Sequence, residues 1–302
     1  MAAKSALTPG TAKTLKHNKW GSGEIKRHLA FLTMLLPGLV FLFCFSYMPM
    51  PALVLAFKRY QLATPPADYW IQNRFIYSLF IDNEWVGFSN FEYIFNTPDA
   101  AMVLRNTLGY NIVFMVLGLI LSVALAIMVN ELRNRILAKV YHTILFMPYF
   151  ISWIIVAYVV YAFVSANGVF NQWLKALGQN TINFYSSAQY WPFIFVFCNI
   201  WKYTGNNSII YLATLTGFDQ ELYEAAAIDG ANKWKQITNI TIPLLTPTIV
   251  LLQILAVGRI FNGDFDMFYS LPNGSGPLKN VSTTLDVYVY NTMKSGAQLG
   301  LA

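Results

Sequence analysis

The chain contains very little charge. Of its 302 residues, 11% are Asp, Glu, Lys or Arg and 56% are hydrophobic, whereas a typical soluble domain is about 25% charged. Because so few side chains suit an aqueous surface, the composition excludes an ordinary soluble domain and indicates a membrane protein. The net charge of +6 does not indicate nucleic-acid binding, because the basic residues do not cluster around stacking aromatics.

Cysteine is scarce, and the common catalytic patterns are absent. Cys44 and Cys198 both lie in apolar runs, where packing explains them better than a disulfide or a metal pair. His17 falls in the N-terminal tail and His28 and His142 at a membrane edge, so we expect no metal site. The sequence has no facing carboxylate pair, no Gly-x-Ser-x-Gly elbow and no Gly-x-x-x-x-Gly-Lys-Ser/Thr phosphate loop. We therefore expect that the chain is not an enzyme.

Five segments are long and apolar enough to cross a membrane, which takes roughly 20 helical residues. The fourth is the weakest, because it contains Lys202, Asn206 and Asn207. The predicted spans are 29–47, 107–129, 144–164, 191–212 and 242–261. The sequence thus predicts an all-α integral membrane protein, with a tail over 1–28 and a transmembrane domain over 29–302.

The basic residues predict the orientation. Six lysines and arginines lie within the first 27 residues, and others lie between the predicted second and third spans and between the fourth and fifth. Positive charge is enriched on the cytoplasmic side of membrane proteins. This distribution places the N-terminus and the segment between the last two spans in the cytoplasm.

The outer loop over 58–106 is rich in aromatic residues. Its "WVGFSNFEYIF" (85–95) has aromatics at helical spacing. A cap packed on the helical bundle is the favoured interpretation, and a docking surface for an external partner is the alternative. A second outer segment, from residue 262 onward, is polar and contains "LPNGSGP", which predicts a turn.

A polar segment between the fourth and fifth spans, "EAAAIDGANKWKQITNITIPLL" (224–245), predicts two short helices joined by a bend. Asp219 is placed to cap the first helix, and Gly230 can end it in the left-handed conformation. A second helix would follow from about residue 231, before Pro243. The first helix carries a small apolar stripe, formed by Leu222, Ala225, Ala226 and Ile228.

Such a helix can enter a groove of a partner protein and transmit that partner's motion to the two spans. The alternative is an interfacial helix on the lipid headgroups. Helices of that kind are usually more basic on the polar face and bulkier on the apolar face.

The segment resembles the cytoplasmic EAA loop of permease subunits in bacterial ATP-binding-cassette (ABC) importers. That pattern is Glu-Ala-Ala, three residues, Gly, nine residues, then Ile-x-Leu-Pro. The version "YEAAAIDGANKW" resembles the carbohydrate branch, and Ile242 replaces the usual Leu. The residues in register are Glu224, Ala225, Ala226, Gly230, Ile240 and Pro243.

The resemblance implies the helical bundle of a type I ABC importer permease, in which the loop over 217–243 is a coupling helix. By position, Glu224 would make the polar contact to the ATPase subunit, and Asp229 is a second candidate. Ala225 and Ala226 would allow close approach, and Gly230 would form the bend.

The resemblance also implies partners. These are a second permease subunit, a pair of ATPase subunits that bind ATP and Mg, and an external solute-binding protein, all at the bacterial cytoplasmic membrane. Such permeases end with a further span, and "SGAQLGLA" (295–302) resembles the lead-in to it. We therefore expect a sixth helix that this chain does not include.

Lys202 lies inside the fourth predicted span, in "WKYTGNNS". An ionisable group within a span is a candidate functional site, and aromatic and amide side chains suit a sugar. The favoured alternative is that Lys202 snorkels or pairs within the bundle while the asparagines form hydrogen bonds between helices. The candidate pathway residues are Trp201, Lys202, Tyr203, Asn206 and Asn207.

Arg259 and Asn262, near the outer end of the fifth span, are further pathway candidates. Arg259 could bind a carboxylated saccharide, or could pair with Asp264, and we favour the pairing. The sequence does not identify the sugar.

An ion-coupled secondary transporter or channel is the rival function. It predicts carboxylates within the spans. All fourteen acidic residues lie outside the apolar cores assigned above, so we favour the ATP-driven importer.

Overall fold

The computed structural model describes residues 22–59, 73, 77, 84–96, 98–132 and 134–294. Most of the predicted tail over 1–28, much of the predicted outer loop over 58–106 and the segment 295–302 lie outside the described residues. The part of the chain that is described is helical, apart from loops and an isolated β-bridge between Lys58 and Trp85. The prediction of an all-α protein is confirmed.

The α-helices are numbered here in chain order. They are α1 Ser22–Leu42, α2 Ser89–Asn96, α3 Pro98–Asn130, α4 Arg135–Phe146, α5 Trp153–Val164, α6 Val169–Ala176, α7 Trp191–Thr216, α8 Gln220–Ile228, α9 Lys233–Gln236, α10 Ile242–Val257, α11 Phe265–Ser270, α12 Lys279–Ser282 and α13 Leu285–Lys294. Short 3₁₀ segments are Met50–Phe57, Met147–Phe150, Phe184–Ser186, Ala188–Tyr190 and Gly276–Leu278, and π-helical turns are Phe43–Tyr47 and Ile237–Thr241.

Among the residues that the structure describes, four helical runs are long and apolar enough to cross a membrane. They are His28–Phe57, Asp99–Asn130, Trp153–Ala176 and Lys233–Val257. Helix α7, the weakest of the predicted spans, has 26 residues but is not apolar enough to be among them, because it carries Lys202 and several polar side chains. Its length alone would cross about 39 Å at 1.5 Å per residue.

The third predicted span, 144–164, is not one helix. Helix α4 ends at Phe146, a 3₁₀ turn with Pro148 follows, and α5 begins at Trp153. Ile151 and Ser152 are extended, and the Ser152 hydroxyl accepts a hydrogen bond from the Ile155 amide at 3.4 Å. Proline has no amide hydrogen and serine favours an N-cap position. The segment 147–152 is therefore a break between two helices.

The chain divides into two compact units, residues 1–55 and 56–302. In the first unit, helix α1 is apolar around most of its circumference, and the described side chains from His28 to Met50 are exposed. A helix that is hydrophobic on all sides is typical of a membrane span. Cys44 is exposed in this unit, whereas Cys198, in the second, is buried.

In the second unit, α3 and α7 pack along one another in the same direction. In the first half of both helices, Tyr110 lies against Phe195, with ring centroids 5.7 Å apart. Near their ends, Ala126 packs with Tyr211 in a second cluster that includes Leu245 of α10. The beginning of α10 therefore lies near the ends of the other two helices, and α10 runs antiparallel to them.

The predicted polar outer segment after residue 262 is instead part of the core. Met267, Phe268, Leu271 and Leu278 are each at most 2% exposed and pack with the aromatic cluster of α3 and α7. The predicted turn at "LPNGSGP" is confirmed, because Asn273 and Gly274 both have positive φ. The turn brings α11 and α12 back onto the bundle, which the polar composition of the segment did not reveal.

The described part of the predicted outer loop folds beside residues 57–59. The Arg59 amide donates to the Glu84 carbonyl oxygen at 3.0 Å, and the rings of Phe57, Phe88 and Phe91 cluster with centroids 5.6–5.8 Å apart. The predicted helix within "WVGFSNFEYIF" begins at Ser89. Whether the loop caps the bundle or docks a partner stays a prediction.

Candidate functional site: a helical loop and a cavity on shared helices

The segment after α7 forms the two predicted helices. The Asp219 carboxylate caps α8 by accepting a hydrogen bond from the Glu221 amide at 3.0 Å. Gly230 has φ +78°, a conformation that costs other residues roughly 1–2 kcal/mol. Asn232 caps α9 by accepting from the Lys235 amide at 2.9 Å. The predicted cap at Asp219 and the predicted bend at Gly230 are both confirmed.

The tip of this loop presents apolar side chains to the surroundings. Ile228 is 87% exposed and Trp234 is 71% exposed. Glu224, Ala225 and Asp229 are exposed and Ala226 is half-buried. The loop therefore offers a mixed apolar and charged surface, acidic on α8 and basic on α9, that the other described residues leave exposed.

Two contacts within the loop and one to a residue just after α3 hold the loop in place. The Tyr223 and Thr241 hydroxyls lie 3.1 Å apart, and Gln236 Nε2 donates to the Ala231 carbonyl oxygen. Lys233 Nζ lies 2.8 Å from the Glu131 carboxylate, just after α3. From Lys233 the chain is helical without interruption to Val257. Helix α9 is therefore the first turn of a helical run about 37 Å long that could span the membrane.

A cavity of about 700 Å³ opens between α3, α7 and the chain that follows α10. Amide, aromatic and charged side chains share its wall. The lining residues that carry those groups are Asn111, Phe114, Asn199, Tyr203, Asn207, Arg259, Asn262, Asp264, Phe265 and Asp266. Four of the predicted pathway residues, Tyr203, Asn207, Arg259 and Asn262, are thus brought together.

Asp264 is the most constrained polar group of the wall. Its Oδ2 accepts hydrogen bonds from Tyr203 Oη at 2.8 Å and from Trp153 Nε1 at 3.0 Å. Its Oδ1 accepts from the Met267 amide and so caps α11. Burial raises the pKa of Asp264, and the hydrogen bonds from Tyr203, the Met267 amide and Trp153 oppose that rise.

Arg259 does not pair with Asp264, and that favoured prediction is wrong. Among the described residues Arg259 forms no ion pair, and its side chain is exposed at the cavity. The carboxylate is already bound by Trp153 and Tyr203, which lie on two helices that the sequence does not place beside residue 264.

Lys202 does not line the cavity. It is 5% exposed, and its ammonium donates hydrogen bonds to the carbonyl oxygens of Pro148, Tyr149 and Ile151. It therefore binds within the bundle, as the favoured alternative predicted, although its partners are backbone carbonyls. Trp201 and Asn206 are not among the residues that line the wall. Trp201 is 42% exposed elsewhere, and Asn206 Nδ2 lies 3.5 Å from Asn207 Oδ1.

Sequence reasoning missed Asn111, Asn199 and Trp153. Asn111 Nδ2 donates to the carbonyl oxygens of Ile260 and Asn262 at 2.7 and 3.1 Å, which holds the end of α10 against α3. Asn111 and Asn199 each place an amide inside a predicted apolar span, and that feature of the sequence could have identified them. Nothing in the sequence distinguishes Trp153 from the other tryptophans.

Comparisons with known proteins agree with this geometry. Residues 118–265 match the family model described as "Binding-protein-dependent transport system inner membrane component". Protein LplB of Bacillus subtilis (strain 168) is 33% identical over 267 residues, which is 88% of this chain and 79% of that protein. The polygalacturonan/rhamnogalacturonan transport system permease protein YteP of the same organism is 31% identical, over 87% of this chain and 78% of that one.

A solved structure has the same fold. It is a crystal structure of a bacterial alginate ABC transporter in complex with an alginate pentasaccharide-bound periplasmic protein. Its matching chain is 30% identical, with a TM-score of 0.78, over 92% of this chain and 88% of that one. These similarities, together with the EAA loop between α7 and the helical run Lys233–Val257, show the family of the chain. It belongs to the binding-protein-dependent transport system inner membrane components, the permeases of ABC importers.

Proposed function

We propose that this permease passes a saccharide through the cavity lined by α3, α7 and residues 256–266, and that the loop over 217–243 couples passage to an ATPase subunit. One observation carries the proposal. Helix α7 reaches the loop at one end and contributes Asn199, Tyr203 and Asn207 to the cavity. The helical run from Lys233 to Val257 likewise joins the loop to the cavity wall.

The mechanism follows from these rigid connections. A partner that grips the exposed surface of α8 and α9 moves two helices whose other parts bound the cavity. Packed helices shift as units rather than deforming continuously. Displacement of the loop therefore changes the shape of the cavity, which is the requirement for alternating access. Glu224 and Asp229 would make the polar contacts to the partner, and Ala225, Ala226 and Gly230 would allow close approach and the bend.

The partners in this proposal are a second permease subunit, a pair of ATPase subunits that bind ATP and Mg, and an extracytoplasmic solute-binding protein. The proposal places the N-terminus and the coupling loop in the cytoplasm of a bacterial cell. It assigns ATP hydrolysis to the partner, because the sequence contains no phosphate-binding loop.

Coupling is tested by Glu224→Ala in the transporter reconstituted with its ATPase and solute-binding protein. We expect uptake and transport-stimulated ATP hydrolysis to fall together while the amount of permease in the membrane is unchanged. The matched control is Glu92→Gln, which alters an exposed glutamate of α2. Unaffected uptake with Glu224→Ala would refute the coupling role.

The wall also supports a saccharide as cargo. Phe114, Tyr203 and Phe265 offer ring faces, and the amides of Asn199 and Asn207 offer donors and acceptors for hydroxyls. YteP is named for polygalacturonan and rhamnogalacturonan, and the structural relative for alginate.

Arg259 is the cation of this wall that a carboxylated saccharide would meet. We expect Arg259→Gln to weaken uptake of a uronate oligosaccharide, such as one of galacturonate, and to leave a neutral oligosaccharide of the same length unaffected. Competition between the two sugars in proteoliposomes measures this difference. An equal loss for both sugars would show that Arg259 does not recognise a carboxylate.

A further inference from the structure

Lys202 is a buried cation in the middle of α7 that the cavity does not use. Its side chain is 5% exposed, and it forms no ion pair with any described residue. A buried charge is costly unless hydrogen bonds or an opposite charge compensate it. The contacts of the ammonium therefore show what this residue does.

The ammonium group fills the break between α4 and α5. It donates to the carbonyl oxygens of Pro148 at 3.4 Å, Tyr149 at 3.0 Å and Ile151. These three contacts match the three hydrogens of an ammonium group. Carbonyls at the end of a helix lack partners and carry partial negative charge. Lys202 thus supplies, from another helix, the cap that this break requires.

The same ammonium lies next to the residues that hold Asp264. It is 5.2 Å from the ring centroid of Trp153 and 6.0 Å from that of Tyr203. Both of these side chains donate hydrogen bonds to Asp264 Oδ2, and Trp153 is the first residue of α5 after the break. A continuous set of contacts therefore joins the capped break to the cavity wall.

Close backbone packing fixes α7 on the other side of the break. A Cβ atom on Gly205 would lie 2.9 Å from the Phe146 nitrogen and closer still to the Leu145 carbonyl group. Gly205 lies one turn beyond Lys202 on α7. The last turn of α4 and the start of α5 are thus both held by the same short stretch of α7.

We propose that Lys202 is a positioning residue of the translocation pathway. Its ammonium closes the break between α4 and α5 and so keeps Trp153 bonded to Asp264 at the cavity wall. When the ammonium is removed, all three carbonyls lose this donor and Pro148 keeps only the Ile151 amide. The break then loosens and Trp153 separates from Asp264. We take the cavity as the pathway proposed above, but the cap can be tested without any transported sugar.

The cap is tested by hydrogen exchange, followed by mass spectrometry, on the assembled transporter in lipid nanodiscs. The Ile151 amide donates to the Pro148 carbonyl oxygen within the break, and the Val156 amide donates to the Ser152 carbonyl oxygen in the first turn of α5. With Lys202→Met, we expect peptides over 147–156 to exchange about ten- to a hundredfold faster, as for loss of a hydrogen bond to a charged group. Lys175→Met, an exposed lysine of α6, is the matched control and should leave this exchange unchanged. If Lys202→Met does not assemble, Lys202→Gln retains two donors and should give a smaller increase.

The link to the cavity is tested by labelling Asn262→Cys with cationic and anionic methanethiosulfonate reagents. Cys44 is replaced by Ala, because it is exposed, whereas Cys198 is buried. We expect Trp153→Phe to change the ratio of the two labelling rates in the otherwise native chain. In the Lys202→Met chain, Trp153→Phe should not change this ratio further, because Trp153 has already separated from Asp264 there.

The possible results separate the cap, the positioning role and the proposed transport pathway. Unchanged exchange at 147–156 in Lys202→Met would overturn the cap. Faster exchange together with additive effects of Lys202→Met and Trp153→Phe on labelling would leave a local cap and overturn the positioning role. Faster exchange throughout the chain would show general destabilisation and also overturn it. Faster exchange confined to 147–156 with non-additive labelling, but with uptake unaffected in Lys202→Met, would support the cap and the positioning role and count against the cavity as the transport pathway.

Discussion

Gly205→Ala is the substitution for which the structure gives the clearest expected cost. The added methyl group would lie 2.9 Å from the Phe146 nitrogen and 2.5 Å from the Leu145 carbonyl carbon. These are backbone atoms, so no side-chain rotation can relieve the contact. Helices α4 and α7 must move apart, and that movement also draws Lys202 away from the carbonyls of the break.

The size of the effect follows from the kind of contact. Overpacking a close-packed interior costs about 1–3 kcal/mol, and we expect the upper end because the backbone itself must shift. At about 2–4 °C per kcal/mol for a chain of this size, the melting temperature should fall by about 6–12 °C. Intrinsic fluorescence during heating of the purified transporter in detergent measures this fall.

Gly109→Ala is the matched control, because a Cβ atom there meets nothing within 4 Å. Alanine is a better helix former than glycine, so this variant should melt at or slightly above the native temperature. Equal melting temperatures for Gly205→Ala and Gly109→Ala would refute the close approach of α7 to α4.

Three further outcomes are expected. Gly230→Ala places an alanine at φ +78° at a cost of about 1–2 kcal/mol, so coupled uptake should fall. Gly178→Ala, at φ +69° in another loop, is the control and should leave uptake intact. Equal loss of uptake in both variants would contradict the role of Gly230. Because burial raises the pKa of Asp264, the folded chain holds this proton more tightly than the unfolded chain. That contribution to stability is present at low pH and declines as pH rises through the raised pKa. Melting temperatures measured across pH 3–8 should show this decline in the native chain and not in Asp264→Asn. The same pH dependence of the melting temperature in both chains would contradict this role of Asp264. Glu131→Gln removes a largely exposed ion pair with Lys233, so the free energy of unfolding should change by less than about 1 kcal/mol; a larger change, measured by chemical denaturation, would show that this contact holds the coupling loop in place.

Local features could be predicted from the sequence because their causes lie within a few residues. The cap at Asp219 depends on one carboxylate near the next amides, and the bend at Gly230 on one residue that tolerates positive φ. Long apolar runs identify helices long enough to span a membrane. The EAA pattern lies within a single loop and is therefore visible without any fold.

The break in the third predicted span could not be placed in this way. Pro148 indicates a disturbance, but an uninterrupted apolar run from 144 to 164 still suggests one helix. The break is stable because Lys202, more than fifty residues later, donates to its carbonyls. A contact between residues so far apart in the chain has no local signature.

The cavity is likewise a product of packing. Its amides and carboxylates come from α3, α7 and the segment after α10, and each appears in the sequence as an isolated polar residue. Arg259 and Asp264 are close in the chain, which suggested an ion pair. Trp153 and Tyr203 bind the carboxylate instead, because the folded bundle brings them to it.

The sequence alone thus determined that the chain is a helical membrane protein with a bent, polar loop between two long helices, because composition, caps and a glycine act locally. The tertiary structure alone decided which polar groups share a cavity and which one closes a broken helix. A side chain in an apolar span can bind a ligand, a backbone carbonyl or a neighbouring carboxylate, and only the packing of the helices determines which of these lies within reach.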